Sequence, residues 1–162
     1  MAFDAFLKLD GIKGESQDSK HKDEIEIESF SWGVTQSGTL AFGGGAGAGK
    51  AQFQDFHFTT NVSKASPQLF VKCATGEHLK DGTLTLRKAG GDGRGVEFYK
   101  ITLSDVLVSS YQNGGSAGGD VPTDQFSLNF TKIAYSFSTQ NADGQIGETI
   151  NGGFDLKQNK KA

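Results

Sequence analysis

A chain of 162 residues and 17.2 kDa has the length of one domain, able to bury roughly 70% of the surface that its unfolded form exposes. Its formal charge of -3 and pI of 5.6 give no broad basic field, which argues against nucleic acid as a partner. A single cysteine, Cys73, excludes an intrachain disulfide framework and the usual multi-cysteine zinc sites, and no apolar run is long enough to cross a bilayer.

Twenty-three glycines, two prolines and 13 phenylalanines predict a turn-rich β protein with an aromatic core. The opening MAFDAFLKLDG reads as a strand with Phe3, Ala5, Leu7 and Leu9 on one face. It has neither the basic segment nor the apolar run of a signal peptide, so the expected starting compartment is the cytoplasm. Gly11 to Lys22, with mixed charges and two glycines, reads as a solvated loop in which His21 has no ligand partner at short spacing. In the next strand Ile25 and Ile27 share a face opposite Glu24, Glu26 and Glu28. From Phe30 the parity reverses, because Phe30, Trp32 and Val34 become the large apolar positions. That shift predicts a bulge near Glu28 or Ser29, or a strand covered on both faces, with Ser29 and Ser31 facing away from Trp32.

Between Ser29 and Phe58 two strand-like halves flank Gly43 to Gly49, seven residues holding five glycines and two alanines. Gly44 to Lys50 fits G-x-x-x-x-G-K, but Ala51 replaces the magnesium-binding hydroxyl and a strand pattern follows where a helix is required. Gly44, Gly45 and Gly47 match the opening of a calcium-binding nonapeptide, yet Gly49 occupies the aspartate position; GGDGRG at Gly90 to Gly95 fails in the same way. Two readings stay open: a flexible hairpin tip, or a tongue ordered only against another copy of the chain, with backbone free to approach a neighbour closely.

Ser63 to Cys73 is the predicted helix, with Ser66 as cap, Pro67 at the first helical position, Leu69, Phe70 and Cys73 on one face, and Gly76 as the stop. Cys73 reads as a packing residue rather than a nucleophile, and His57 and His78 lack a metal-ligand pattern. Leu84 and Leu86 begin a hairpin that turns at AGGDGRG and returns through VEFYKITLSDVLVSS, whose changes of parity predict a strand bent between two sheets. Gly114 to Thr123 is a second connection, with Asp120 and Asp124 as turn acids. Phe126, Leu128 and Phe130, then Ile133, Tyr135 and Phe137, form the last hairpin, followed through Asn141 to Gly144 by a strand with Ile150, Phe154 and Leu156. No nucleophile elbow, paired carboxylate or zinc helix organises a catalytic site, so neither enzyme activity nor cofactor nor metal is expected.

Several short stretches, in order, resemble the Hcp family, the haemolysin-coregulated tube proteins of type VI secretion: KGES at Lys13 to Ser16, SWG at Ser31 to Gly33, QSG at Gln36 to Gly38 and GGGAGAGK at Gly43 to Lys50. RKAGG at Arg87 to Gly91, VLVSS at Val106 to Ser110, LNF at Leu128 to Phe130 and ADG at Ala142 to Gly144 continue the series, while the C-terminal INGGFDLKQNKKA matches loosely. The resemblance implies a mainly β fold over residues 1–162, a small β-barrel of two packed antiparallel sheets with one short helix alongside and a long extended hairpin loop. It also implies six-membered rings stacked into a tube, with a spike, a contractile sheath and effector proteins as partners, and release from the cell through that machinery. On this reading Gln36, Ser37, Gly38, Gly43, Gly44, Gly45, Gly47, Gly49 and Lys50 supply an interface between copies, and Ser31 faces the lumen. The competing expectation is a monomeric or dimeric β-sandwich that binds carbohydrate or another ligand in a discrete pocket.

Overall fold

A computed structural model describes residues 2–37, 49–88 and 95–162. In chain order it contains β1 (Asp4–Leu9), β2 (Ile25–Glu26), β3 (Ser29–Ser31), β4 (Val34–Thr35), β5 (Gln52–Phe53), β6 (Phe56–Asn61) and α1 (Ser66–Thr75). There follow β7 (Leu79–Lys88), β8 (Val96–Gly114), β9 (Thr123–Asn129), β10 (Lys132–Gln140), β11 (Ile146–Asp155) and β12 (Lys160–Lys161). The first sheet runs β12-β11-β10-β8-β7-β1-β2 and the second β3-β6-β9-β8, all pairs antiparallel. The expected two packed sheets with one helix are present, and the path stays open at its edges instead of closing into a complete barrel.

The 19-residue β8 belongs to both sheets. Its first part pairs with β7 and β10, and from Leu107 it pairs with β9. At the change Asp105 adopts φ 53°, a left-handed conformation that aspartate tolerates better than most side chains. Its carboxylate accepts from His78 Nδ1 at 2.9 Å, and the bond to that imidazole holds its pKa below the ordinary value. The bend predicted from the parity changes of this strand is therefore real. The parity reversal after Ile27 has a related cause: β2 pairs with β1 in the first sheet, whereas β3 pairs with β6 in the second, so the chain changes sheets there.

Alternation then builds the core between the two inner faces. Leu7, Leu84, Ile101 and Tyr135 form one row across the first sheet; Leu9, Gly82, Leu103 and Ile133 form the next. Opposite them lie Phe30, Phe58, Phe126 and Tyr111, then Phe56, Leu128 and Val108. Phe58 stacks on Phe56 at 4.9 Å and on Phe126 at 5.1 Å between centroids.

The segment from Gly11 to Lys22 departs from the solvated loop expected of it. It folds back over the outer side of β1, where Gly14 N–H donates to Asp23 O and Ser16 N–H to Glu24 O. His21 is buried, stacked on Phe6 at 4.4 Å, with Nδ1 3.0 Å from Glu24 and Nε2 2.7 Å from Glu97. Arg87 donates to both oxygens of Asp18, at 3.0 and 2.8 Å. That hydrogen bonding pulls the Asp18 pKa from 3.8 down to about 2 against the opposing effect of burial. Partners more than sixty residues away in sequence hold the loop, which local composition does not reveal.

The helix begins at Ser66, three residues later than predicted, and Ala65 rather than Ser66 is its N-cap. Ser66 instead donates from Oγ to Asp124, which also accepts from Tyr111 Oη at 2.7 Å and Asn113 Nδ2 at 2.9 Å. Asp124 is thus no turn acid but a fully buried carboxylate on β9 that fixes the helix to the second sheet. Burial, then the bond to Asp124, raises the Tyr111 pKa. Leu69 enters the core, Cys73 is half-buried against it, and Gly76 ends the helix at φ 71° as expected.

Two outcomes follow for stability. Asp124→Ala leaves three donors without their acceptor and is expected to cost about 3 kcal/mol or more, since bonds to a charged group and unsatisfied buried donors are the expensive cases; for a chain of this size thermal melting should fall by roughly 6–12 °C. Because the folded-state pKa of Asp18 is depressed, its stabilisation is present above pH 3.8 and is lost as pH falls towards about 2. Arg87→Met should therefore lower stability at pH 7 and flatten the stability curve between about pH 4 and pH 2, as measured by urea unfolding at stepped pH.

Candidate functional site

With the phenylalanines of the second sheet turned inward, the alternate residues form its outer face. Ser31, His57, Ser127 and Ser110 align in one row; Ser29, Thr59, Gln125 and Gln112 in the next; Asn61, Thr123 and Gly114 in a third. These rows contain no lysine, arginine or apolar side chain. Ser31 is exposed and lies opposite half-buried Trp32, as its strand parity predicts. Trp32 stacks on Phe56 at 5.8 Å and donates from Nε1 to Tyr99 Oη at 3.0 Å, fixing β3 to the core. Burial pushes the Tyr99 pKa up to about 12.

A bulge shapes the middle of this face. Between Val108 and Ser110 the register of β8 against β9 slips by one residue, so Ser109 and Ser110 together oppose Ser127. Both hydroxyls reach Ser127 Oγ, at 2.7 and 2.6 Å. Ser109 Oγ also donates to Asp55 Oδ2 at 2.6 Å, and Asn129 Nδ2 donates to Asp55 Oδ1 at 3.0 Å. A hydroxyl has one proton to give. With Ser109 donating to Asp55, the chain must run Ser110 to Ser127 to Ser109 to the carboxylate. The sequence alone did not single out Asp55, Ser109 or Ser127; the parity change within VLVSS was the signal available for the bulge.

The expected interface residues divide. Gly38, Gly43, Gly44, Gly45 and Gly47 lie outside the described residues. Gln36, Ser37, Gly49 and Lys50 are described and sit beyond a short ribbon in which Val34 pairs with Phe53 and Thr35 with Gln52. A Cβ on Gly49 would stand 2.1 Å from Ser37 Oγ and 2.9 Å from Gln36 Oε1, so glycine permits this close approach. Phe53 packs against Phe130 at 6.0 Å and Phe154 at 5.5 Å, tying the ribbon to the domain.

A second surface was not anticipated. On the β10–β11 hairpin, Phe137 and Ile150 pair across the strands and are 39% and 56% exposed, with Ile146 beyond them at 50%. On its other side β11 pairs with β12 only at Phe154 and Asp155. Gly153 O also accepts from Ala162 N–H, so residues 146–152 present an edge with no described partner on that side, a feature that invites another chain.

Among the described residues no group of three or more His, Cys, Asp or Glu side chains is placed to hold a metal, and no helix is long and apolar enough to cross a membrane. An open groove of about 620 Å³ runs beside β1 and β2, lined in part by Asp4, Glu15, Asp18 and Arg87. Its guanidinium is engaged by Asp18 and Asp4.

Comparison with known proteins gives concordant results. Residues 6–137 match the family model described as type VI secretion system effector, Hcp. The chain is 44% identical over 163 residues to the protein hcp1 of Pseudomonas aeruginosa, with 100% of both chains covered. It is similar to a solved structure of a type six secretion system protein, with a TM-score of 0.92, 32% identity and coverage of 99% of this chain and 100% of that one. It is also similar to Hcp1 from Salmonella typhimurium, with a TM-score of 0.83, 36% identity and full coverage of both.

Proposed function

The chain belongs to the Hcp family, the tube subunits of type VI secretion, and from that premise we propose that six copies, each a single domain, close into a ring whose channel is lined by the outer face of the second sheet. Stacked rings form the tube, and the sheath, the spike and effector proteins are its partners. The subunit leaves the cell with the tube. Its task is structural, carried by surfaces rather than by catalytic groups.

The observation that supports this most is the division of the surface. The outer face of the second sheet is mostly polar and almost uncharged, with half-buried Leu107 opposite Asn129 at one end, which suits a wall past which other proteins move. An apolar group, Phe137, Ile146 and Ile150, lies beside the unpaired stretch of β11, while Phe3, Val34, Phe70, Val71 and Val121 are exposed elsewhere. A cyclic ring requires two different patches on each subunit, and such an edge is suited to be one of them. We assign a share of the contact also to the tongue from Gln36 to Lys50, whose described ends meet at Gly49, and we place Ser31 in the lumen because it lies on the polar face, in the row with His57, Ser127 and Ser110.

Dimensions agree with this reading. A domain of this length has a radius of gyration of roughly 15 Å and, as a uniform sphere, a diameter of about 40 Å. Six touching discs enclose a hole of one disc's width, so the channel would be about 40 Å across and would admit a small folded protein.

Native mass spectrometry should give six times the subunit mass. Removing residues 43–49 should leave a folded subunit that no longer forms rings; hexamers persisting on a sizing column with light scattering would refute the role given to the tongue. Ser31→Arg should keep the ring while changing which proteins co-purify with it, and an unchanged set of passengers would place Ser31 outside the lumen.

A further inference from the structure

We propose that the polar face of the second sheet selects passengers carrying exposed lysine or arginine, and that Asp55 is the carboxylate that receives them. The inference rests on the reading that this face lines the channel and adds the chemistry of what it recognises.

Asp55 adds a negative charge to an outer face whose rows hold no lysine or arginine. Among the described residues no basic side chain pairs with it, in contrast to Asp18 and Asp105, which have Arg87 and Lys157. Its rotamer is nevertheless fixed, because Ser109 holds one oxygen and Asn129 the other. A carboxylate has about four acceptor positions, and these two bonds leave others for a further donor.

The hydroxyl chain strengthens the assignment. Ser110, Ser127 and Ser109 donate in sequence towards Asp55, so the hydroxyl chain fixes the orientation of the carboxylate oxygen that Ser109 holds. Ser127 is buried at 2% exposure, so the relay is anchored within the sheet and cannot swing away. A cation arriving from the channel would meet a carboxylate already ordered. A passenger presenting carboxylates would meet like charge and no compensating cation. In a ring the site recurs once per subunit, so a passenger with several basic side chains could engage more than one copy, and multivalent engagement multiplies a weak single contact.

The test uses purified rings and two fluorescein-labelled probes, decalysine and decaglutamate, read by anisotropy at 50 and 300 mM salt. Wild-type rings should bind decalysine, more weakly at high salt, and should not bind decaglutamate. Asp55→Asn, which keeps shape and hydrogen-bonding capacity, should weaken decalysine binding by roughly fivefold or more. Asp81→Asn makes the same change in net charge on an exposed position of the first sheet and should alter binding by less than twofold. Asn129→Asp, which sets a second carboxylate beside the first, should tighten it. Equal effects of Asp55→Asn and Asp81→Asn, or equal binding of the two probes, would overturn the inference while leaving the ring intact. Absence of rings by native mass would overturn the channel reading and this inference with it.

Discussion

One strand serves two sheets, and most of the architecture depends on that sharing. β8 continues from the first sheet into the second without a chain break, so the angle between the sheets is set by the backbone of a few residues around Asp105 and not by loop packing. Once that angle is fixed, alternation assigns every neighbouring side chain to one face or the other. Phe56, Phe58 and Phe126 turn inward because β9 is registered on the far end of β8, and the serines between them turn outward for the same reason. The bulge at Ser109 is part of this device. It adds one residue where the strand must twist further, and it places two adjacent hydroxyls on one side, which a regular strand cannot do.

The outer face of the second sheet and the β10–β11 hairpin differ in what they expose, one mostly polar, the other carrying Phe137, Ile146 and Ile150. A wall that guides other proteins must hold them weakly, and serine, threonine and amide side chains satisfy a passing surface about as well as water does, since hydrogen bonds exchanged with water leave a small net gain. A contact between subunits has the opposite requirement. Burial of apolar area at about 25 cal/mol per Å², together with backbone hydrogen bonds along an unpaired edge, favours lasting association, and the β10–β11 hairpin offers both. In the proposed ring the two demands would fall on different strands, so neither would compromise the other.

Much of this was legible in the sequence where the cause was local. The first strand, the helix stop at Gly76 and the bent β8 follow from period-two alternation and turn residues, and Ser31 is placed outward by simple parity with Trp32; the hairpin expected of Phe126–Phe130 with Ile133–Phe137 does not form, because β9 pairs with β6 and β8 whereas β10 pairs with β8 and β11. What was missed depended on distant partners. His21 is in a stretch of mixed charge that reads as solvent-exposed, yet Glu97 and Phe6 bury it. Asp124 follows a glycine-rich turn and reads as its last acid, although Ser66, Tyr111 and Asn113 converge on it inside the fold. Ser66 fits a helix cap by residue type, but the helix already includes it; its Oγ accepts from Ser63 N–H and donates to the buried carboxylate of Asp124, a distant partner that local sequence does not show. Asp55 looked like an ordinary acid before a strand because the bulge that brings Ser109 to it lies more than fifty residues downstream.

The tongue poses a question of free energy that its composition answers in part. Its ribbon is only two residue pairs long, too short to be stable alone, and it depends on Phe53 resting against Phe130 and Phe154. From Gly43 to Gly49 no side chain is larger than alanine, so little apolar area is available there to offset about 1–2 kcal/mol of backbone entropy for each residue fixed. Seven such residues would cost roughly 7–14 kcal/mol, which hydrogen bonds within one subunit, at about 1 kcal/mol net each, do not return. A partner that supplies a flat surface and many backbone acceptors and donors is therefore needed if the segment is to have one conformation. In the proposed ring a second copy of the chain, with the open edge of β11 and an extended sheet, would supply such a surface, and each tongue would be held by one neighbour while its own subunit holds another.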